Sequence, residues 1–167
     1  GSVSKDAVEK ARREVADLIG AGEQEMYFTS CASEANNLAV KGAAQAYQQK
    51  GKHLVVSAIE HFSVLYAARR LSQSGFEVTY LPVDRYGFVS PDDVKNALRE
   101  DTTLVSVQHA NPEIGTIQPL AEISRICREK KIPFHTDAVC TAGVIPVDVN
   151  SLGVDLLTLS GSQFYGP

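Results

Sequence analysis

The chain has no long hydrophobic run. Its apolar stretches are as short as Leu54-Val55-Val56 and Leu104-Val105. No segment is therefore expected to span a bilayer, where a helix needs about 20 apolar residues. There is no Lys/Arg cluster, and the net charge is −4, which argues against a nucleic-acid or anionic-membrane surface. Cysteine is scarce. Cys31, Cys127 and Cys140 are an odd number without disulfide-like spacing, so a reducing, cytoplasmic setting is expected. A signal peptide is missing, and Gly1-Ser2 reads as a cloning remnant. No internal repeat, linker or low-complexity stretch occurs. No G-x-G-x-x-G string follows a predicted strand, which sets a dinucleotide-binding function aside.

What is present is enough for one folded domain. The 167 residues are 44% hydrophobic and 22% charged, as in globular proteins with a real core. Ser4 is expected to cap a helix over Lys5 to Ile19, stopped by Gly20. Met26 to Thr29 reads as a short strand, followed by a helix from Ser33 to Gln49. Strands are expected at Leu54–Ser57, Phe76–Leu81, Leu104–Gln108, Ile132–Thr136 and Leu156–Ser160. Between them lie helices over His61–Ser74, Ser90–Arg99 and Leu120–Lys131, and a turn at Asp84–Gly87. In the last helix Ile123, Ile126 and Cys127 face inward, which makes Cys127 a core residue. Strands alternating with amphipathic helices predict a three-layer α/β/α sandwich with a largely parallel sheet. Such sheets bind ligands beyond the carboxyl ends of their strands. Five polar clusters follow predicted strands: Ser30–Ser33, Ile59–His61, His109–Glu113, Asp137–Cys140 and Ser160–Gln163. They are expected to share one edge.

The clusters carry recognisable strings. Phe28-Thr29-Ser30-Cys31-Ala32-Ser33-Glu34-Ala35-Asn36-Asn37-Leu38 resembles F-T-S-G-[AG]-T-E-[AS]-[ND]-N-L. Ser57-Ala58-Ile59-Glu60-His61 matches S-x-x-E-H. His109 to Gln118 resembles H-[VA]-N-N-E-I-G-T-[IV]-Q, and His135 to Cys140 resembles H-x-D-[AG]-x-Q. Ser160 to Pro167 resembles S-x-H-K-F-x-G-P. Together these strings resemble the cysteine desulfurases, pyridoxal-phosphate enzymes of the class V aminotransferase family, over nearly the whole chain.

The resemblance implies roles residue by residue. Ala32 and Ser33 would offer amides, and Ser33 a hydroxyl, to the cofactor phosphate at a helix N-terminus. Ser33 is also expected to be the N-cap of that helix. Ser160 and Ser162 would complete the phosphate cup, Ser162 standing where the family has a histidine. His61 would stack on the pyridine ring and assist proton transfer. Asp137 would bond the protonated ring nitrogen and keep the ring an electron sink. Asn111 would line the cofactor. The departures are as specific. Gln163 stands where the family lysine forms the Schiff base, and an amide nitrogen is no nucleophile. Pro112 and Cys140 replace the two ring-oxygen contacts, an Asn and a Gln. Proline has no donor, and a thiol is a weak one. Cys31 replaces a glycine, so its turn must avoid glycine-only backbone. These losses gather on one side of the cofactor, as in a divergent subfamily or a site adapted to another ligand.

Residues 3–167 are thus expected to be a partial pyridoxal-phosphate-binding large domain, lacking the N-terminal segment and C-terminal small domain of the family. The parent reaction would convert L-cysteine, or a related amino acid, to alanine with the sulfur left as an enzyme persulfide. His61 and Gln163 occupy the catalytic positions, and Gln163 is not competent. Pyridoxal 5′-phosphate is expected to bind non-covalently and the isolated chain to be inactive. Self-association through a surface that normally meets the small domain, and a sulfur-acceptor or scaffold partner, also follow. Two other readings remain open. One is a non-catalytic scaffold that keeps the fold and binds another phosphate compound or an iron–sulfur assembly partner. The other is a metal or cluster held by Cys31, Cys140 and His61; the motifs themselves imply no metal ligand.

Overall fold

The computed structural model describes residues 1–164 and Gly166. The chain-end string therefore loses Tyr165 and Pro167, which lie outside the described residues. Six helices are described, α1 (Ser2–Ile19), α2 (Ala32–Ala46), α3 (Phe62–Ser72), α4 (Pro91–Ala97), α5 (Leu120–Glu129) and α6 (Val149–Leu152). The strands are β1 (His53–Ser57), β2 (Glu77–Leu81), β3 (Thr102–Ser106), β4 (Phe134–Asp137) and β5 (Leu156–Thr158). They form one sheet in the order β2-β1-β3-β4-β5, and every pairing is parallel.

Burial follows directly from that order. The three inner strands β1, β3 and β4 are buried at every position, as parallel strands covered on both faces must be. Their side chains alternate between two cores. Val55, Val105 and Phe134 pack with Leu120, Ile123 and Cys127 of α5 and Val94 of α4. Leu54, Val56 and Leu104 pack on the other face with Val40 and Ala44 of α2 and Val64, Ala68 and Leu71 of α3. Each fully buried aliphatic or aromatic side chain contributes about 1.5–3 kcal/mol. The architecture is the expected α/β/α sandwich. A third, smaller cluster of Ile19, Ala138 and Val147 seats α1 against β5.

The local signals mostly act as read. Gly20 ends α1 in the left-handed conformation, φ 68°, which glycine adopts without strain. Ser90 caps α4 through a bond from the Asp93 amide, with Pro91 at the first helical position. The turn at Asp84 closes with the Tyr86 and Phe88 amides on the Asp84 carboxylate, each at 2.9 Å. Cys127 is 1% exposed, and burial pushes its thiol up to about 12, helped by Asp155.

Three expectations need correction. Met26–Thr29 is not a strand. Tyr27 and Phe28 are 76% and 52% exposed, and no sheet edge lies beside them to take up their backbone groups. Ser4 lies inside α1, whose N-cap is Gly1. Ser33 is likewise inside α2; Cys31 is the cap, with φ −166° and ψ 167°. That is extended backbone open to any residue, so cysteine replaces glycine there without strain. The four-residue α6 was not anticipated; Asp148 caps it by accepting from the Ser151 amide at 2.6 Å.

Candidate functional site

The site is assembled where β1, β3, β4 and β5 end. Asp137 is the last residue of β4 and only 8% exposed. A buried carboxylate must be paired, and this one is. Asn36 donates to Oδ2 at 2.8 Å, and the Val139 amide to Oδ1 at 2.9 Å. Asn36, 1% exposed, belongs to the first turns of α2. Its bond to Asp137 brings the cluster Ser30–Ser33 to the same edge as the other four, although no strand precedes it.

His61 follows β1 and caps α3. Its Nδ1 accepts from the Ser63 amide at 3.2 Å and lies 2.7 Å from Ser63 Oγ. The same Oγ accepts from Asn36 Nδ2 at 2.9 Å. Asp137 and His61 are thus tied together through Asn36 and Ser63. Asn36 lies within the string Phe28–Leu38 but was given no role there, and Ser63 lies outside the strings. The available signal was their place on apolar stripes: Asn36 sits one turn before Val40 and Ala44, and Ser63 one turn before Ala67 and Leu71.

Glu60, matched in the S-x-x-E-H string without a role, is the buried carboxyl at this edge with an unpartnered oxygen. It is 5% exposed. The Gln108 amide donates to Oε1 at 2.5 Å, while Oε2 has no partner. Burial pushes its carboxyl up to about 8, and the negative Asp137 adds to the rise. Both causes favour the protonated carboxyl. Asn36 Oδ1 is the other buried side-chain atom without a partner among the described residues.

The end at which the sequence strings place a phosphate is built from α2. A helix leaves its first amides without internal acceptors, and here the first bond into the cap is Ala35 N–H to Cys31 O at 3.1 Å. The Ala32 and Ser33 amides therefore remain available. The Glu34 carboxylate bends back to accept from the Ser30 amide and hydroxyl, both at 2.6 Å. The Glu34 amide and the Ser30 hydroxyl lower the exposed Cys31 thiol below its usual range. At the end of β5, Ser160 Oγ and Ser162 Oγ are 3.0 Å apart. Gln163 is exposed in the turn Gly161–Phe164, its amide bonded to Ser160 O at 3.1 Å.

Asn111 and its neighbours are explained largely by structure. Asn111 Oδ1 accepts from the Glu113 and Ile114 amides at 3.0 and 3.3 Å, shaping the loop. Its Nδ2 donates to Ile59 O at 3.3 Å, as does Gln108 Nε2 at 2.7 Å. Both anchor the segment that carries Glu60 and His61. Gln118 accepts from the Val89 amide at 2.9 Å and donates to Gly87 O at 2.7 Å. The turn at residues 84–89 is thereby stapled to the 110–117 hairpin. Gly87, φ 84°, allows the contact, since a Cβ there would strike Ile114. Cys140 follows Asp137, and partial burial and then that carboxylate raise its thiol. Among the described residues no three His, Cys, Asp or Glu side chains converge as metal ligands, so Cys31, Cys140 and His61 do not form the metal group considered above. None of the described helices is long and apolar enough to cross a membrane.

With the geometry in view, comparison with known proteins is informative. The family profile Aminotransferase class-V matches residues 1–167. Cysteine desulfurase IscS of Methanosarcina thermophila is 54% identical over 167 residues, all of this chain and 41% of that protein. The IscS of Dictyoglomus turgidum is 55% identical, again over the whole chain and 42% of its own length. A solved structure described as SspA in complex with cysteine superposes with a TM-score of 0.94 at 42% identity, covering 99% of this chain and 48% of that one. The chain therefore spans about two fifths of the length of the curated relatives it matches.

Proposed function

The chain belongs to the class V aminotransferase family, and we propose that it is the cofactor-binding part of a cysteine-desulfurase-like protein acting on L-cysteine or a related amino acid. Members of this family are pyridoxal-phosphate-dependent. One observation carries the reading: a buried carboxylate, Asp137, is oriented by two donors at the strand ends and tied to His61 through Asn36 and Ser63.

The residues fit the cofactor at the ring nitrogen and the phosphate. Each Asp137 oxygen has one described donor and keeps a lone pair for a protonated ring nitrogen. The Ala32 and Ser33 amides, the Ser33 hydroxyl and the pair Ser160–Ser162 supply donors for phosphate. His61 would lie over the ring. When bound, the cofactor supplies an electron sink for carbanion chemistry at the amino-acid α-carbon. Asp137 would hold a proton at the ring nitrogen, and Asn111 would hold the His61 segment in place. Cys140 offers a poor donor to the ring oxygen. Gln163 provides neither an amine to anchor the cofactor nor a base to move the α-proton. Loss of a general base costs about 10²–10⁴-fold in rate, which supports non-covalent binding and an inactive chain.

Residues 3–167 would form part of the large domain, with the remaining three fifths of such a protein supplying the persulfide-forming cysteine and the small domain. A cytoplasmic homo-oligomer serving a sulfur acceptor or scaffold partner fits this reading. The exposed Tyr27, Phe28, Phe62 and Tyr66 supply apolar surface for self-association.

The test is addition of pyridoxal 5′-phosphate to the purified chain, with and without L-cysteine, followed by visible spectrum and melting temperature. A rise in Tm that is lost in Asp137→Ala is expected. Gln163→Lys should add a visible band that survives gel filtration. The outcome that sinks the reading is no Tm change in either the wild-type chain or Gln163→Lys. Gln163 and Pro112 favour, as the second reading, a non-catalytic scaffold for another phosphate ligand, and that result would leave it standing.

A further inference from the structure

The link between His61 and Asp137 has a direction, and the direction fixes where His61 carries its proton. A backbone amide only donates, so the Ser63 N–H bond makes His61 Nδ1 an acceptor. The Asn36 amide must face Asp137 with its nitrogen, because its oxygen there would set two acceptors 2.8 Å apart. The same nitrogen donates to Ser63 Oγ at 2.9 Å. Ser63 Oγ, having accepted from Asn36, is left to donate its hydrogen to His61 Nδ1 at 2.7 Å. Every bond in the chain then runs one way, from the Asn36 amide outward to Asp137 on one side and through Ser63 to His61 on the other. Asn36 Oδ1 is left buried and unpartnered, which shows that these two donations, rather than its own carbonyl, set the amide.

We propose that Asn36 and Ser63 are positioning residues that lock neutral His61 as the Nε2–H tautomer and couple its ring orientation to the Asp137 carboxylate. His61 then presents a donor N–H rather than a lone pair to whatever lies beside it. Nδ1 is the only nitrogen at which the neutral ring can gain a proton, and gaining it requires breaking the bonds from Ser63. Neutral His61 is thus a hydrogen-bond donor held in place, and acid–base duty at Nδ1 would give up the amide bond from Ser63 and reverse the bond with its hydroxyl. The relevance of this to a bound ring rests on the function proposed above; the tautomer itself does not.

The experiment is a long-range ¹H–¹⁵N spectrum of the chain with ¹⁵N-labelled imidazoles and no ligand. It is recorded at about pH 8.5, some two units above the ordinary histidine value, with His61→Gln to assign the signals. The wild-type chain should show His61 with Nε2 protonated and Nδ1 bare. Ser63→Ala removes one of two donors to Nδ1, and Asn36→Leu frees the serine hydroxyl to accept instead. Each should raise the Nδ1–H share about fivefold, the weight of one net hydrogen bond, while Ser63→Thr should keep the wild-type pattern. A wild-type His61 protonated at Nδ1, or a tautomer unmoved in Ser63→Ala, overturns the proposal. The wild-type spectrum decides even if Asn36→Leu fails to fold. A failure of pyridoxal phosphate to bind leaves this result untouched, so the two readings fail separately.

Discussion

The two ends of the sheet treat buried polar groups in opposite ways. At the amino end, His53 is fully buried and both ring nitrogens are used, Nδ1 on Thr102 Oγ1 at 2.8 Å and Nε2 on Thr79 Oγ1 at 2.9 Å. Three adjacent strands are laced by one ring, whose pKa is lowered by burial and then by Arg99. Outside it Arg99 pairs with both Glu77 and Asp101. At the carboxyl end, two carboxyl groups share a buried neighbourhood, one is pushed toward its protonated form, and both orphaned atoms, Asn36 Oδ1 and Glu60 Oε2, are there. The first end is arranged for stability. The second tolerates cost, as sites that must meet a ligand commonly do.

That contrast predicts substitutions of opposite sign. The largest loss should come from His53→Ala, which opens a cavity and takes a partner from the Thr79 and Thr102 hydroxyls, the latter keeping the Arg99 amide. A loss of about 3 kcal/mol in urea unfolding is expected near neutral pH; a neutral result would break the comparison at its stable end. Glu60→Gln should do the reverse. The Glu60 carboxyl has a folded-state pKa of about 8 against an ordinary 4.5, so the fold takes up a proton between those values. Stability is then greatest below about pH 4.5, falls as pH rises, and reaches its full penalty above about pH 8. Glutamine removes the titration and keeps an acceptor for the Gln108 amide. The variant should gain on the wild-type chain steadily as the pH rises from 5 to 8.5, with the smallest difference near pH 5. Parallel pH profiles for the two proteins would remove Glu60 from the argument. Arg99→Ala should matter least. Its partners are exposed, so the change in Tm should be small and should vanish in about 0.5 M salt. A large, salt-resistant loss would make the outer ions part of the His53 lacing.

Much of this was legible in the chain, and the reasons are physical. Alternation of β-branched runs with amphipathic helices leads to the parallel sheet because burial on both faces has a simple periodic signature. Asp137 and His61 were found through local strings at strand ends. Asn36 and Glu60 stood in matched strings without a role, and Ser63 was missed, because their importance lies in partners distant in sequence; a helical Asn reads as neutral until its neighbour across the fold is known. The polar breaks in the 36-40-44 and 63-67-71 stripes were the usable clue. Met26–Thr29 misled because strand propensity needs a neighbouring strand, which the chain does not place there. In the string His109–Gln118, matched as a family string, His109, Asn111, Thr116 and Gln118 spend their side chains joining neighbouring loops.

The Asn36–Asp137 bond spans 101 positions of the chain. Closing so long a loop is entropically costly and is repaid only once α2, β3 and β4 have packed. The Asp137 carboxylate therefore gains its Asn36 donor only when those elements have come together. A molecule that requires that orientation would register complete folding, and in binding would hold α2 and β4 together against local opening.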